Sequence, residues 1–429
     1  MKDFKPTKEF AKKLDEEDPL KNYRDRFKIS KDSIYMDGNS LGLLSEDSKE
    51  TLGRVVKEWK ELGIKGWEEG DIPWFWYGEK LGNMTAPLIG AEEEEVVITN
   101  STTVNIHNLI GTFYEPDKRG KKIIVDELDF PTDHYALKGE MRKKGIHTED
   151  NLIVIESEDG RTIDEDKVVE AMDDDVSIVF LPSVLFRSGQ RLDMKYITEE
   201  AHKRNLLVGF DIAHSIGVIP HEFDKWRVDF AVWCSYKYLN GGPGAVGGLY
   251  VNQRHFYRTP SLSRWWGHEK SSQFEMNLDF TPADNAGAWQ IGTINVLSAT
   301  PIEGSLKMLQ EVGIENVRKK SLWLNSYLIN LVDELVTEKP YNFGIGTPSE
   351  KEDRGGHVAV TREKDAYRIN LALRDNEVIV DFRPPNVIRI CPSPLYVRYV
   401  DVWNVVNKLK GIIDKKEYEN FEKNTEGVT

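Results

Sequence analysis

The sequence predicts an α/β protein: a large domain built on a mainly parallel sheet, then a smaller α+β domain. From residue 96, short apolar runs alternate with charged, helix-like segments: VVIT (96–99), IIVDE, LIVIES, SIVFLPSV, LLVGFD and DFAVWCS. Strands covered on both faces need runs that are apolar throughout, and the intervals suit crossover helices. After Pro301 the texture changes, and GGHVAVT, VIVDF and VIRICP are mixed with helical stretches. We expect an N-terminal segment (1–45) packing with the small domain, a large domain over 46–300 and a small one over 301–429.

In chain order, residues 1–32 are highly charged and read as a surface helix leading to the body. IYMDGNSLGLLSED gives a short strand, a Gly-rich turn and Ser45 as N-cap, with Glu46 and Asp47 at the positive end of a helix over about 46–62. Leu52, Val55, Val56, Trp59 and Leu62 form its apolar stripe. Gly63–Tyr77 holds Trp67, Trp74, Trp76 and Tyr77, and simple packing accounts for most of such a cluster. VVIT runs into NSTTVNIHNLIGTF, a hydroxyl-rich helix start, and GGLYV (247–251) is expected to close the sheet. A long helix is expected around 302–338, another over 364–374, and a polar tail from Lys415 free to fray.

Composition narrows the function classes. The 429 residues are 39% hydrophobic and 30% charged, ordinary for a soluble enzyme, and a net charge of −15 excludes a basic nucleic-acid footprint. Cys234 and Cys391 share no metal or redox spacing, which points to a reducing compartment and no metal centre. MKDFKPTKEF has no apolar leader and no run approaches 18 apolar residues, so we expect a cytoplasmic protein without a membrane span.

The chemistry centres on LLVGFDIAHSIGVIPHEFDKWRVDFAVWCSYKYLNGGPGA. One buried run ends in Asp211; the next leads to Lys237, 26 residues further on, and then to a Gly-rich loop. A strand–crossover–strand unit would bring both to the C-terminal edge of a parallel sheet, where open α/β sheets bind ligands. A carboxylate for a pyridine nitrogen and an amine for an aldehyde suit pyridoxal 5'-phosphate. Either residue alone would more often be a cap or a solvated surface group.

GFDIAH followed by WCSYKYLNGGPGAVGG resembles the kynureninases, pyridoxal-phosphate enzymes of the aspartate aminotransferase fold group (fold type I), and the resemblance runs over roughly residues 33–410. It implies hydrolysis of L-kynurenine to anthranilate and L-alanine, with 3-hydroxykynurenine cleaved more slowly, in tryptophan breakdown or nicotinamide-cofactor synthesis. Within NSTTVNIH it implies that Thr102 and Thr103 bind the phosphate together with Tyr236; by themselves two threonines at a helix start are more often caps. Phe130, Pro131, Thr132 and Asp133 match a cofactor-contacting motif whose aromatic ring stacks on the pyridine. Asp211 would keep the ring nitrogen protonated, and His214 matches a cofactor-site histidine, though alone it would read as a core histidine. Lys237 would bond the cofactor's aldehyde and later move the substrate's α-proton, with Tyr236 donating a proton to the β-carbon.

Trp265, in SRWWGHE, and Thr293, in AWQIGTINV, match residues that relatives present from the neighbouring subunit, which implies a homodimer with shared active sites. Arg389, in NVIRICPSPLY, matches the clamp for the substrate carboxylate. Ser40 and Trp67 match the aryl pocket, and Trp67 points to plain kynurenine because the 3-hydroxykynurenine-preferring animal enzymes carry His there. A small hydroxyl residue of relatives aligns with Pro182, one position before Ser183, and that contact is left unassigned. Two rival readings share the scaffold or the cofactor. A cysteine desulfurase needs a mobile catalytic Cys, which neither Cys234 nor Cys391 suits, and an aminotransferase would turn over keto acids. A non-catalytic cofactor sensor would usually add a DNA-binding domain or lose Lys237.

Overall fold

The apolar runs become strands in the computed structural model, which describes residues 4–30 and 32–422. The extreme ends of the leader and tail readings, 1–3 and 423–429, lie outside the described residues. The first strand, β1 (Ile34–Tyr35), belongs to a small two-stranded sheet. Next come β2 (Val96–Ile98), β3 (Lys122–Asp126), β4 (Leu152–Ile155) and β5 (Val176–Pro182). They are followed by β6 (Leu207–Asp211), β7 (Phe230–Trp233) and β8 (Gly248–Val251). These seven form one sheet in the order β2-β8-β7-β6-β5-β3-β4. Strands β3 to β7 are parallel, and every residue of β5 and β7 is buried, which is why their sequences are apolar without alternation.

GGLYV does not close the sheet as expected. It forms β8, which lies between β7 and β2 and runs antiparallel to both. The residues between β7 and β8 are spent on the turn that carries Lys237 rather than on a crossover helix, so the chain re-enters the sheet from the edge it left. The strand order also reverses between β3 and β5, and that reversal opens a crevice at the C-terminal ends of the strands.

The helix Glu46–Leu62 forms as expected, with Ser45 Oγ accepting from the Ser48 N–H at 3.1 Å. Its buried face differs from the expected stripe. Ser48, Thr51 and Val55 are buried, whereas Val56 and Trp59 are 48% and 60% exposed. The helix packs on Val296–Val312 so closely that a Cβ on Gly304 would lie 2.4 Å from the Asp47 carbonyl. Only small residues fit that seam, so the bulky apolar side chains point away from it. The long helix expected over 302–338 is two helices, Val296–Val312 and Ile314–Leu335, broken at Gly313 with φ +80°. Pro301 lies inside the first of them and marks no element boundary.

The C-terminal part is built on β9 (Gly344–Ile345), β10 (Val358–Thr361), β11 (Val378–Ile379), β12 (Asp381–Arg383) and β13 (Val387–Ile390). A four-stranded antiparallel sheet has the order β12-β13-β10-β9, while β11 pairs in parallel with β1. The N-terminal helix Lys8–Glu17 packs on Tyr399–Asp414, where Asp15 accepts from the Tyr399 N–H at 2.6 Å. Past Lys415, a 3₁₀ turn at Glu417–Asn420 is held by the Asn376 amide donating to Glu417 at 2.9 Å, so the tail is docked at least that far. Among the described residues no helix is long and apolar enough to cross a membrane, and no cluster of three or more His, Cys, Asp or Glu could hold a metal.

Candidate active site

Parallel pairing places Asp211 at the C-terminal end of β6, opposite Val232 of β7, and the chain then delivers Lys237 four residues beyond that strand. Both line a cavity of about 330 Å³ at the C-terminal edge of the sheet, as the sequence implied. Thr102, Thr103, Phe130, Thr132, His214, Tyr236, Ser40 and Arg389 line the same cavity. Pro182 lines it too, whereas the Ser183 hydroxyl turns away to Ser215 Oγ at 2.7 Å.

One end of the cavity is an anion cradle. Thr102 opens the helix Thr102–Phe113, whose N-cap Ser101 makes no side-chain capping bond. The first N–H groups of that helix point at the cavity mouth with a partial positive charge. A Cβ on Gly247 would come within 3.1 Å of the Thr102 nitrogen, so glycine lets the loop lie closely against this terminus.

The middle holds the titrating groups. Burial raises the Asp211 carboxyl above its ordinary value, while Lys237 and the Ala213 N–H, 2.7 Å from Oδ1, pull it partway back. A cation set against it would restore the carboxylate. His214 Nε2 lies 3.0 Å from Lys237 Nζ, and burial, then Lys237 and Arg389, hold the imidazole well below its usual range. Cys234 and burial push the Tyr236 phenol up, so it stays protonated. Asp133 is buried behind this group beside Asp129, and burial followed by the charge of Asp211 raises it well above the ordinary value. Phe130 forms one wall, edge-on to Phe186 at 5.5 Å and 87°.

The other end is cationic. Arg389 is 2% exposed and gives Nε and Nη2 to both oxygens of Asp381. Nη2 also donates to Ser40 Oγ at 2.9 Å and Nη1 to the Phe186 carbonyl at 2.8 Å. The Asn39 amide oxygen, turned towards the guanidinium, accepts from Nη1 at 3.3 Å. Arg383 lines the cavity beside it and reaches Asp381 Oδ2 at 2.8 Å. Two guanidinium groups therefore share one carboxylate.

Some expected residues fall elsewhere. Pro131 is the first residue of the helix Pro131–Lys143 and is exposed, so it stiffens the turn rather than lining the cavity. Trp265, 47% exposed, and Thr293, also exposed, do not line this protomer's cavity. Trp67 does not either. It meets Trp74 edge-on at 5.8 Å and Trp266 at 5.6 Å, in the same aromatic group as Trp265. Sequence reasoning missed Asn39, Asp129, Phe186, Arg383 and Asp381. A signal existed for the last pair: VIVDFR and VIRI flank a short Pro-rich turn, and hairpin register sets Asp381 opposite Arg389.

The residues present fit pyridoxal 5'-phosphate. A helix terminus for a phosphate, an amine for an aldehyde, a buried carboxylate for a ring nitrogen and an aromatic wall for a ring face surround a cavity of the right order of size.

A family model described as the kynureninase C-terminal domain matches residues 317–409. The chain is 51% identical to a kynureninase of Geobacillus thermodenitrificans (strain NG80-2) and to one of Bacillus mycoides (strain KBAB4), each over 99% of both chains. It is 46% identical to a kynureninase of Shouchella clausii (strain KSM-K16) over 97% of this chain and 96% of that one. Among solved structures, a cysteine desulfurase from Thermococcus onnurineus NA1 superposes with a TM-score of 0.78 at 17% identity, over 92% of this chain and 98% of that one. A mutant of C-DES, with glycine covalently linked to its pyridoxal-phosphate cofactor, gives 0.77 at 17% identity, over 91% and 99%. These two likenesses establish the fold, that of the fold type I pyridoxal-phosphate enzymes.

Proposed function

The chain belongs to the kynureninase family, and from that premise we propose that it is a pyridoxal-phosphate-dependent hydrolase converting L-kynurenine and water to anthranilate and L-alanine. The observation that carries the reading within the structure is the convergence of Lys237, Asp211 and two guanidinium groups on one cavity. When bound, the cofactor supplies an aldehyde for the substrate's amine and an electron sink for charge left at the α-carbon.

The chain's own residues do the rest. Thr102, Thr103 and Tyr236 would hold the phosphate at the helix terminus, with Phe130, Thr132 and His214 towards the ring, Asp133 behind them and Pro131 fixing the turn that carries them. Asp211 keeps the ring nitrogen protonated. Lys237 would anchor the cofactor and, with its amine free, could take and return the substrate's α-proton. Arg389, with Ser40, receives the substrate's carboxylate, and Arg383 stands beside it. Water adds to the substrate's γ-carbonyl, the Cβ–Cγ bond breaks, and Tyr236, kept protonated, gives its proton to the β-carbon.

We further propose a cytoplasmic homodimer in which Trp265 and Thr293 complete the partner's site. Their outward placement supports this, as does the exposed apolar side chain of Trp59. Trp67, grouped with Trp265 and Trp266, would belong to the same wall of the aryl pocket. The division into a segment 1–45, a large domain 46–300 and a small domain 301–429 is likewise proposed, with the helix Val296–Val312 spanning the junction. Incubating the loaded protein with L-kynurenine tests the main reading: blue anthranilate fluorescence should rise with an equal yield of alanine. A keto acid in place of alanine, or no anthranilate, would sink it.

A further inference from the structure

His357 is fully buried and stands behind the residues that line the cavity. Its ring packs obliquely against that of His214, with centroids 5.9 Å apart and 60° between planes. On its other side a Cβ on Gly189 would lie 3.3 Å from His357 Nε2, so the imidazole is wedged between His214 and backbone. His214 already faces Lys237 Nζ with Nε2, at 3.0 Å. Its Nδ1 is buried and finds no partner among the described residues; His357 turns one ring nitrogen to the backbone of Arg187, which leaves the other without a partner there.

A neutral imidazole carries one donor and one acceptor nitrogen, so whatever occupies Nδ1 decides what Nε2 offers. With ring centroids 5.9 Å apart and no direct bond between their nitrogens, a link between the two imidazoles needs one bridging water. Taking Lys237 as the cofactor's anchor, as proposed above, we infer that His357 is a positioning residue. Through a water it accepts from His214 Nδ1–H, and so holds His214 in the tautomer that turns a lone pair towards Lys237. His214 would then stabilise the protonated form of the Lys237 nitrogen. The other charged and titratable groups around these rings are Arg389, Arg383 and Asp381 on the small-domain side, and Asp211, Asp133 and Cys234 around Lys237. Burial first, then Arg389, lowers His357 to about 3, so it stays a neutral acceptor at any working pH.

The visible band of the loaded holoenzyme, titrated with pH in the absence of substrate, reads the protonation of the Lys237 nitrogen directly. For His357→Leu the protonation midpoint should fall by about one to two pH units, the loss of one hydrogen bond to a charged group. His357→Gln, whose amide can still accept, should recover most of that fall. Identical titrations for Leu and the unmodified protein, or equal falls for Leu and Gln, would overturn the inference. Should the Leu variant fail to fold, the unmodified holoenzyme still decides, because isotope-labelled histidine must show His214 as the Nδ1–H tautomer. The Nε2–H tautomer overturns the role whatever the variants do. Absence of any visible band in the unmodified protein would instead sink the cofactor reading, and this inference with it.

Discussion

Replacing Arg383 by Gln should weaken substrate binding and leave the chemistry nearly intact. The N–H groups of Arg389 already have partners, Nε and Nη2 on Asp381, Nη2 also on Ser40, and Nη1 on the Phe186 carbonyl and the Asn39 amide, so Arg389 meets an incoming carboxylate by exchanging one of these and Arg383 must share the load. Arg383 lines the cavity, its side chain is 19% exposed against 2% for Arg389, and both lean on Asp381. Asp381 and the neighbouring Asp37 offset these two cations only in part while Asp37 is protonated, and an amino acid's carboxylate would complete the balance. A hydrogen bond to a charged group contributes about 1.5–3 kcal/mol, and at about 1.4 kcal/mol per decade its loss is roughly 10- to 150-fold. Binding that is uniform along the reaction appears in KM, so kcat should change only a few-fold. Asp381 keeps Arg389, so the fold should hold.

The assay is steady-state anthranilate release from kynurenine, repeated with an analogue lacking the carboxylate. Discrimination between the two should shrink in Arg383→Gln by the factor that KM rises, and Arg383→Lys should recover part of it. A KM within twofold of the unmodified enzyme would refute the shared-clamp reasoning, as would a fall in kcat at unchanged KM.

Four other outcomes are expected. Asp37, two residues before Asn39 and within reach of the charges of Asp381, Arg389 and Arg383, is pushed up to about 7 by burial and then by Asp381; above that pH its carboxylate offsets the guanidinium groups, so KM should rise roughly fivefold, for about 1 kcal/mol, and Asp37→Asn should flatten the profile. Mixing Lys237→Ala with Thr293→Trp protein should regenerate activity if sites are shared between subunits; no recovery despite proven subunit exchange would count against sharing. Trp67 offers a hydroxyl one donor and no acceptor, so kynurenine should be preferred to 3-hydroxykynurenine by roughly 5- to 150-fold in kcat/KM, for about 1–3 kcal/mol, and Trp67→His should narrow the gap; equal kcat/KM values would defeat this. Burial raises the Asp229 carboxyl, but hydrogen bonds from His202 and His255 and the charge of Arg254 outweigh it and hold it well below the ordinary value. That stabilisation is present above an unfolded pKa of about 3.9 and is lost as pH falls through the folded value, so Asp229→Asn should cost about 3–5 kcal/mol in urea unfolding at neutral pH, and less below about pH 4.

Parallel strands announce themselves locally, and that is why so much of the large sheet was legible. LLVGFD and DFAVWCS are apolar throughout because β6 and β7 are covered on both faces, and a crossover between them fixes their relative direction. Direction and edge position are properties of pairing, which is why GGLYV was misplaced: nothing inside four apolar residues says that β8 runs backwards beside β2. The stripe on Glu46–Leu62 misled for a related reason. A helical period shows where apolar side chains point, and here the closest packing uses the small face against Gly304.

The same division explains which site residues could be found. Asp211 ends a strand and Thr102 and Lys237 each follow one of the same sheet, so topology alone gathers them at its C-terminal edge, and a strand-end position in the sequence is already a position in the cavity. Arg389 reaches the cavity by hairpin register, and Ser40 by the pairing of β1 with β11, which ties the N-terminal segment to the C-terminal part of the chain. Their commitments to Asp381, Phe186 and Asn39 cross more than one element and leave no local trace. The groups around the cofactor's reactive end are thus set by one sheet, whereas the groups that receive the substrate's carboxylate depend on how the N-terminal segment and the small antiparallel sheet seat against it. A substitution that loosens that seating should therefore raise KM before it lowers kcat.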